Sequence, residues 1–181
     1  PEEGNEPGVA SLLSRVLGRE SQSRSARLIQ ADVDAFGGFG TDYDGETIGA
    51  WVVSDPDPVE VARAAQTLLL DTLARPRFSE ETVAAARPAQ RRDLVLRREN
   101  LTLSLLARLR ARATGIETPL LGEERDVARL RAARVEAFHA RWFRPDRTVV
   151  AVHGKSDADA IRALVQAILN VGGWKDLAPA P

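Results

Sequence analysis

The stretch Gly8–Leu17 constrains this chain more than any other, because both its apolar and its polar residues recur at helical spacing. The apolar set predicts a short helix with one face in a core. Its members are Val9, Leu12, Leu13, Val16 and Leu17. Ser11, Ser14 and Arg15 fall at i, i+3 and i+4, so we expect them to share the opposite face of that helix.

Length and composition favour one globular domain over the 181 residues. The 25 basic and 26 acidic residues nearly cancel, so the chain has no global attraction to nucleic acid or anionic lipid. Cysteine is absent, which excludes disulfides and thiolate chemistry. With no signal peptide and no apolar run that could span a membrane, we expect a soluble protein, periplasmic or cytoplasmic, and the compartment stays open.

Local signals predict helices around a small sheet. Helices are expected at about 24–36, 58–74, 79–115, 123–129, 132–142 and 157–169, with Pro88 kinking or breaking the longest. Phe39–Tyr43 and Glu46–Ser54 are predicted strands joined at Asp44-Gly45, the second of them central because it is apolar on both faces. Thr148–His153 is a third predicted strand. The expected fold class is α+β, with helices packed on one mainly antiparallel sheet.

The first stretch resembles the zinc helix of the pitrilysin/insulinase family of metallopeptidases, which includes mitochondrial processing peptidase. That helix reads roughly Gly-Leu-Ala-His-Leu-Leu-Glu-His-Met-Leu, where two histidines bind zinc and the glutamate activates water. Here Ser11 and Arg15 stand at the histidine positions and Ser14 stands at the glutamate. A hydroxyl is a poor zinc ligand, and a guanidinium cannot coordinate a metal.

Other segments resemble the same family in the family's order. They are Arg75–Glu81, Thr118–Glu124, Ala137–Arg147 and the final Gly172-Gly173-Trp174. Family domains open with a strand pair that this chain lacks. The resemblance therefore implies a processing-peptidase-like half-domain without its first strands, as one domain over residues 1–181 with 171–181 as its exit linker.

In active members of the family a glutamate on the long helix is the third zinc ligand, and Asp93 or a neighbour is the matching position. Asp93 has a shorter carboxylate and is expected near Arg15, Arg91 and Arg92, which favours an ion pair. The degenerate zinc-motif positions are therefore Ser11, Ser14, Arg15 and Asp93. We expect no catalytic residue, no metal and no cofactor in this chain, with zinc only in a catalytic partner domain.

The resemblance implies a non-catalytic domain that encloses and binds peptide substrate beside a catalytic domain of the same family, in cis or in trans. The alternative is a structural or assembly module of the same fold with no peptidase partner, like the core subunits of a respiratory complex. An uncovered sheet edge, at Thr148–His153 or at the Phe39–Ser54 hairpin, predicts self-association.

The remaining patterns favour structural roles. His139 and His153 stand on different elements, at no spacing that suits a metal. The glycine run 37–40 leads from a helix into a strand, which is the reverse of a phosphate loop. The arginine-rich long helix lacks interleaved aromatics, so we expect it to be solvated or to face a partner, and we expect no nucleic acid.

Overall fold

The computed structural model describes residues 7–54, 57–115, 121–153 and 157–169. Its helices are α1 (Val9–Val16), α2 (Ala26–Phe36), α3 (Pro58–Ala64), α4 (Asp71–Ala74), α5 (Glu80–Glu99), α6 (Leu101–Thr114), α7 (Glu124–Arg129), α8 (Ala132–Trp142) and α9 (Ala158–Leu169). Strands β1 (Gly38–Tyr43) and β2 (Ile48–Val53) form a two-stranded antiparallel sheet. A π-helical segment, Ala65–Leu70, joins α3 to α4, and Pro145–Arg147 form a 3₁₀ turn. The predicted α+β class is confirmed.

Local signals begin and end several of these elements where the sequence predicts. α2 ends at Gly37, whose φ of 114° is left-handed and whose N–H donates to the Val33 carbonyl at 3.2 Å. α5 begins after Ser79, whose hydroxyl accepts a hydrogen bond from the Thr82 N–H at 3.1 Å. The glycine run after α2 is thus a helix stop and strand entry, as predicted.

The turn between β1 and β2 is held by Asp44. Its carboxylate accepts hydrogen bonds from the Glu46 N–H at 2.7 Å and from the Thr47 N–H at 2.8 Å, and the Thr47 hydroxyl donates a third at 2.8 Å. These bonds, that of the Thr47 N–H foremost, lower the pKa of Asp44 to about 2. Gly45 completes the turn with a φ of 104°.

The long helical region breaks at Asn100. Of the two outcomes predicted at Pro88, a kink or a break, the break is wrong, and the kink stays a prediction. Pro88 lies inside α5 on an exposed side, so the Ala84 carbonyl that its missing N–H leaves unbonded can turn to water. Asn100 instead adopts an extended conformation and accepts a hydrogen bond from the Leu103 N–H at 3.0 Å. It therefore caps the N-terminus of α6 and separates α6 from α5.

The third predicted strand does not form, and β2 is not a central strand. Residues 148–153 pair with no strand in the described parts of the chain, and Val149 is 94% exposed. A strand exists only through hydrogen bonds to a neighbour, so apolar composition alone does not make one. Trp51 and Val53 on β2 are exposed as well. Self-association stays a prediction, with only the hairpin left to provide a sheet edge.

The backbone groups into two compact units. Unit 1 comprises Pro1–Val16, Asp42–Gly49 and Phe78–Phe138, and unit 2 comprises Leu17–Thr41, Ala50–Arg77 and His139–Pro181. The single-domain assignment stays a prediction. The predicted exit linker, 171–181, lies outside the described residues. No helix in the described ranges is both long and apolar enough to cross a lipid bilayer.

Unit 2 is built on a small apolar core between α2, the hairpin and the π-helical segment. Its buried members are Ile29, Phe36, Ala64 and Leu68, with Val33, Phe39 and Val52 packed around them. The approach to α2 is fixed by Asp71, which accepts hydrogen bonds from the hydroxyls of Ser21, at 3.2 Å, and Ser23. This unit therefore combines apolar burial with a polar clasp at the start of α2.

Unit 1 contains a buried glutamine that joins three separate segments. The Gln90 side chain on α5 is fully buried, and its Nε2 donates to the Gly8 carbonyl at 2.9 Å and to the Leu121 carbonyl at 2.8 Å. The two loops meet closely, since a Cβ on Gly8 would lie 2.6 Å from the Leu121 carbonyl oxygen. Gln90 thus ties the start of α1 to α5 and to the loop before α7.

We expect Gln90→Leu to lower the free energy of unfolding by about 1–3 kcal/mol, because the Leu121 carbonyl loses the Gln90 donor, whereas the Gly8 carbonyl still accepts from the Leu12 N–H. Denaturant unfolding measures the change. Gln22→Leu, at an exposed position, is the matched control and should stay within about 0.5 kcal/mol of wild type. Equal stability of the two variants would contradict a structural role for the Gln90 amide.

His139 is held neutral inside unit 2. Its Nε2 lies 2.7 Å from the Leu73 carbonyl oxygen, so the neutral ring donates there, and the ring stacks on Phe143 at a centroid distance of 4.5 Å. Burial lowers the pKa of His139 from 6.5 to about 4, against the opposing effect of the hydrogen bond to Leu73. Protonation therefore opposes folding at this position.

The pKa of His139 is lower in the folded state than in the unfolded state. The contribution of the neutral ring to the free energy of unfolding is therefore complete above pH 6.5 and is lost as the pH falls from 6.5 towards 4. The loss is about 3 kcal/mol at most, at about 1.4 kcal/mol per pKa unit. Unfolding free energies at several pH values between 7 and 5 should fall more steeply for wild type than for His139→Gln. His153→Gln, at an exposed position, should keep the wild-type slope.

Candidate functional site

The four residues singled out by the sequence lie on α1 and α5, two helices of unit 1 that pack against each other. Every residue of α1 except Arg15 is buried, and Val9, Leu12 and Leu13 are completely so. The regular spacing of these apolar side chains explains why the segment is helical and why it lies in the interior. α1 is therefore a rigid support for whatever its polar side chains do.

Ser11 and Ser14 are buried, which corrects the expectation that they lie on the opposite face from the core. Their exposed fractions are 2% and 7%. The Ser14 hydroxyl donates to the Ser11 carbonyl of its own helix at 2.9 Å. A serine that bonds back to the preceding turn satisfies its hydroxyl donor within its own helix, which allows burial. The Ser14 hydroxyl thus serves the helix backbone.

Arg15 and Asp93 form the ion pair that the sequence predicts for Asp93. The Arg15 Nη2 lies 2.6 Å from the Asp93 Oδ2, and the side chains are 28% and 42% exposed. A pair this accessible to water contributes about 1 kcal/mol or less. Arg91, expected beside Asp93, instead pairs with Glu124 on α7. Asp93 is therefore paired with Arg15, while Arg91 is paired with a carboxylate on another helix.

Gln90 is the residue that sequence reasoning missed. It lies three residues before Asp93 on α5, so both side chains face α1. Its hydrogen bond to the Gly8 carbonyl fixes the start of α1 while Asp93 meets Arg15 near the end. The signal in the sequence is its position on the helix. Gln90 follows Val83 by seven residues, which is two helical turns, so both side chains lie on the same buried face of α5.

The four positions do not fit a zinc ion. Of the four, only Asp93 is of a type that commonly ligates metals, and its carboxylate is bonded to a guanidinium. Zinc sites in proteins need three or four converging nitrogen, sulfur or carboxylate ligands. In the described residues no three histidine, cysteine, aspartate or glutamate side chains converge in such a cluster. What the arrangement can do is hold two helices together by a charge pair at the rim of a buried contact.

The two histidines occupy different environments. His139 is largely enclosed and bonded to the backbone of Leu73, in the structural role that the sequence predicts. His153 lies on the exposed segment after the 3₁₀ turn. The pKa shift of His139 comes from burial in unit 2 and not from a nearby carboxylate or nucleophile, so it gives no indication of catalysis.

Comparison with known proteins gives a family match at the C-terminal end. Residues 129–180 match the family model described as the peptidase M16 inactive domain. The match includes α8 and α9 but neither α1 nor Asp93. The match therefore lies in a different part of the chain from Ser11, Ser14, Arg15 and Asp93.

Mycobacterial proteins match over most of the chain. Zinc proteases, named as uncharacterized, of Mycobacterium tuberculosis (strain ATCC 25618 / H37Rv) and Mycobacterium bovis (strain ATCC BAA-935 / AF2122/97) are each 27% identical over 165 residues. One of Mycobacterium leprae (strain TN) is 26% identical over 164 residues. Each alignment covers 88% of this chain and 36% of the relative, so the chain spans about a third of the length of these curated relatives. The chain is therefore similar to the peptidase M16 inactive-domain model over its C-terminal part and to mycobacterial zinc proteases over most of its length.

Proposed function

We propose that this chain is a non-catalytic domain of a zinc metallopeptidase, and that it helps to enclose and bind peptide substrate beside a catalytic domain of the same family. The observation that carries the proposal is the Arg15–Asp93 ion pair. In the resemblance drawn from the sequence, Arg15 takes the place of one zinc-binding histidine and Asp93 takes the place of the third ligand. The Arg15 guanidinium thus pairs with the Asp93 carboxylate, which is the group that a metal ion at this position would require as a ligand.

Electrostatics and packing both support this proposal. A zinc ion bound at Asp93 would lie beside the Arg15 guanidinium, and repulsion between two cations at that distance is costly. The Ser14 hydroxyl is already bonded to the helix backbone, and Ser11 is almost wholly enclosed. The chain therefore keeps the buried helix of the family pattern without groups that could activate a water molecule.

The comparisons support the remainder of the proposal. The family model is described as an inactive domain, and the mycobacterial relatives are named as zinc proteases. Those relatives extend far beyond the part that this chain matches. A catalytic domain elsewhere in the same polypeptide, or in a second subunit, would provide the zinc that these residues do not hold.

Restoring the zinc motif should cost stability at the two buried positions. We expect Ser11→His with Ser14→Glu to lower the free energy of unfolding by about 2 kcal/mol or more, because larger side chains must enter a packed interior. Arg15→His with Asp93→Glu changes only partly exposed side chains, is the matched control, and should cost about 1 kcal/mol or less.

The same variants test metal binding directly. After dialysis against buffer, metal analysis should show no tightly held zinc in the wild-type chain. About one zinc per wild-type chain would contradict the proposed role of Arg15. An unchanged unfolding free energy in the variant that combines Ser11→His with Ser14→Glu would show that the helix still has room for the motif.

The function itself is tested on the assembly that contains this chain, either the full-length parent protein or its native complex. We expect that assembly to contain zinc and to hydrolyse unfolded peptides, to lose hydrolysis with a chelator, and to keep both zinc and hydrolysis in the Arg15→Ala variant. The reason is that Arg15 contributes a helix contact and no catalytic group. An assembly without zinc and without hydrolysis would favour the structural module over the peptidase domain.

A further inference from the structure

The helix α6 exposes its most apolar face to solvent. Leu101, Leu105 and Leu109 follow one another at four-residue spacing and are 73%, 49% and 64% exposed, and Leu106 beside them is 56% exposed. We call these four side chains the leucine face. Exposed apolar side chains continue onto the end of α5 with Val95 and Leu96. A contiguous apolar surface of this kind marks an interaction site.

The least exposed of the described side chains of α6 are not its leucines. Ser104, Arg110 and Ala111 are half-buried, and Arg110 pairs with Glu46 at 2.8 Å, whereas Leu103 is 42% exposed in addition to the leucine face. A helix that served only its own unit would bury leucine and expose serine and arginine. The exposure of every leucine of α6 indicates that the leucine face is covered by something outside the described residues.

Arginines lie within and beside the leucine face. Arg108 and Arg112 follow Leu105 by three and seven residues, so they share its side of the helix. Arg97 and Arg98 precede the face at the end of α5. The side chains of these four arginines form no hydrogen bond or ion pair with another described residue. The surface is therefore apolar with a positive rim, and its complement is apolar with carboxylates.

A second copy of the chain is a poor complement. α6 contains no aspartate or glutamate, so in an antiparallel pair of α6 helices neither copy would offer a carboxylate to Arg108 and Arg112 of the other. In a parallel pair Arg108 would face Arg108. Like charges held opposite each other at an interface oppose association. The charges therefore favour a different partner.

A membrane surface is also a poor complement. A helix that lies in a lipid interface keeps charged and apolar side chains on opposite faces. In α6 the guanidiniums of Arg108 and Arg112 lie on the same side as the leucines, which is how a helix interface alternates apolar contacts with charge pairs. A duplex nucleic acid would meet the arginines but leave the leucines against phosphate.

We propose that the leucine face of α6 is a docking surface for an acidic amphipathic helix of another protein or domain. Leucine-like anchors of that helix pack on Leu101, Leu105 and Leu109, and its glutamate or aspartate side chains pair with Arg108 and Arg112. The face would bind such a helix whether or not the chain belongs to a peptidase assembly.

The test uses the 181-residue chain and two synthetic helical peptides. Both carry leucines at alternating three- and four-residue spacing. One has glutamates flanking the leucines, and the other has lysines at the same positions. Fluorescence anisotropy should show the glutamate peptide binding about tenfold more tightly than the lysine peptide, or more, as two charge pairs at a partly desolvated rim would provide. Added salt should reduce that difference.

Variants locate the site. Leu105→Ser with Leu109→Ser should abolish binding of both peptides, while Val59→Ser, an exposed apolar residue on α3, should leave binding unchanged. Arg108→Glu with Arg112→Glu should reverse the preference in favour of the lysine peptide. A reversal is a gain of binding, which an unfolded variant cannot produce, and circular dichroism checks the fold of each variant.

Several results would overturn the proposal. These are equal affinity for the two peptides, no binding of either, or peptide binding that survives the double leucine substitution. Tighter binding of α6 to vesicles containing phosphatidylglycerol, or to duplex DNA, than to the glutamate peptide would do so as well. So would a wild-type dimer in light scattering that the leucine substitutions dissociate, because it would make a second copy the occupant.

Discussion

The burial of α1 is the constraint on which the candidate site depends. Seven of its eight residues lie in the interior, so the helix has almost no surface for charged side chains. Its polar groups must find partners on the spot: Ser14 bonds to its own backbone, and the carbonyl of Gly8 receives the Gln90 amide. Arg15 is the exception, because it lies where the helix reaches the rim and can meet a carboxylate.

The packing of α1 on α5 does not by itself create a metal site, because metal binding depends on which side chains α1 presents. A buried helix packed on a longer one can present ligands to a metal if histidines and a glutamate project from it. With serine and arginine at those positions the helix keeps its place, and the energy of the contact comes from apolar packing and hydrogen bonds. Such a domain can shape a binding surface, which is why we favour an enclosing role over a cutting one.

α6 follows the opposite rule from α1. Its half-buried residues are Ser104, Arg110 and Ala111 while its leucines are exposed, so its apolar side chains find no contact among the described residues that would remove them from water. The exposed leucines have an unfavourable interaction with water that a partner would remove. Arginines on the same side would then select the partner by charge, because like charges oppose association and opposite charges favour it.

Much of the helical framework follows from the sequence because helix signals are local. Gly37 ends α2, Ser79 caps α5 and Asp44-Gly45 turns the hairpin, and each acts through hydrogen bonds to residues a few positions away. The amphipathic spacing of α1 likewise predicts its helix and its buried face. The ion pair of Asp93 was also within reach, because arginines were its only close neighbours in the expected arrangement.

Long-range pairing was decided by the tertiary structure. Whether Thr148–His153 becomes a strand depends on a neighbouring strand, and the described residues provide none. Pro88 did not break α5, since the Ala84 carbonyl that it leaves without a hydrogen bond lies on an exposed side of the helix, where water can reach it. Three side-chain contacts depend on residues that are distant in the chain. Gln90 bonds to Gly8 and Leu121, Asp93 pairs with Arg15, and Arg91 pairs with Glu124. The sequence by itself determined which segments are helical and which residue types stand at the motif, and only the packing decided which of those residues meet.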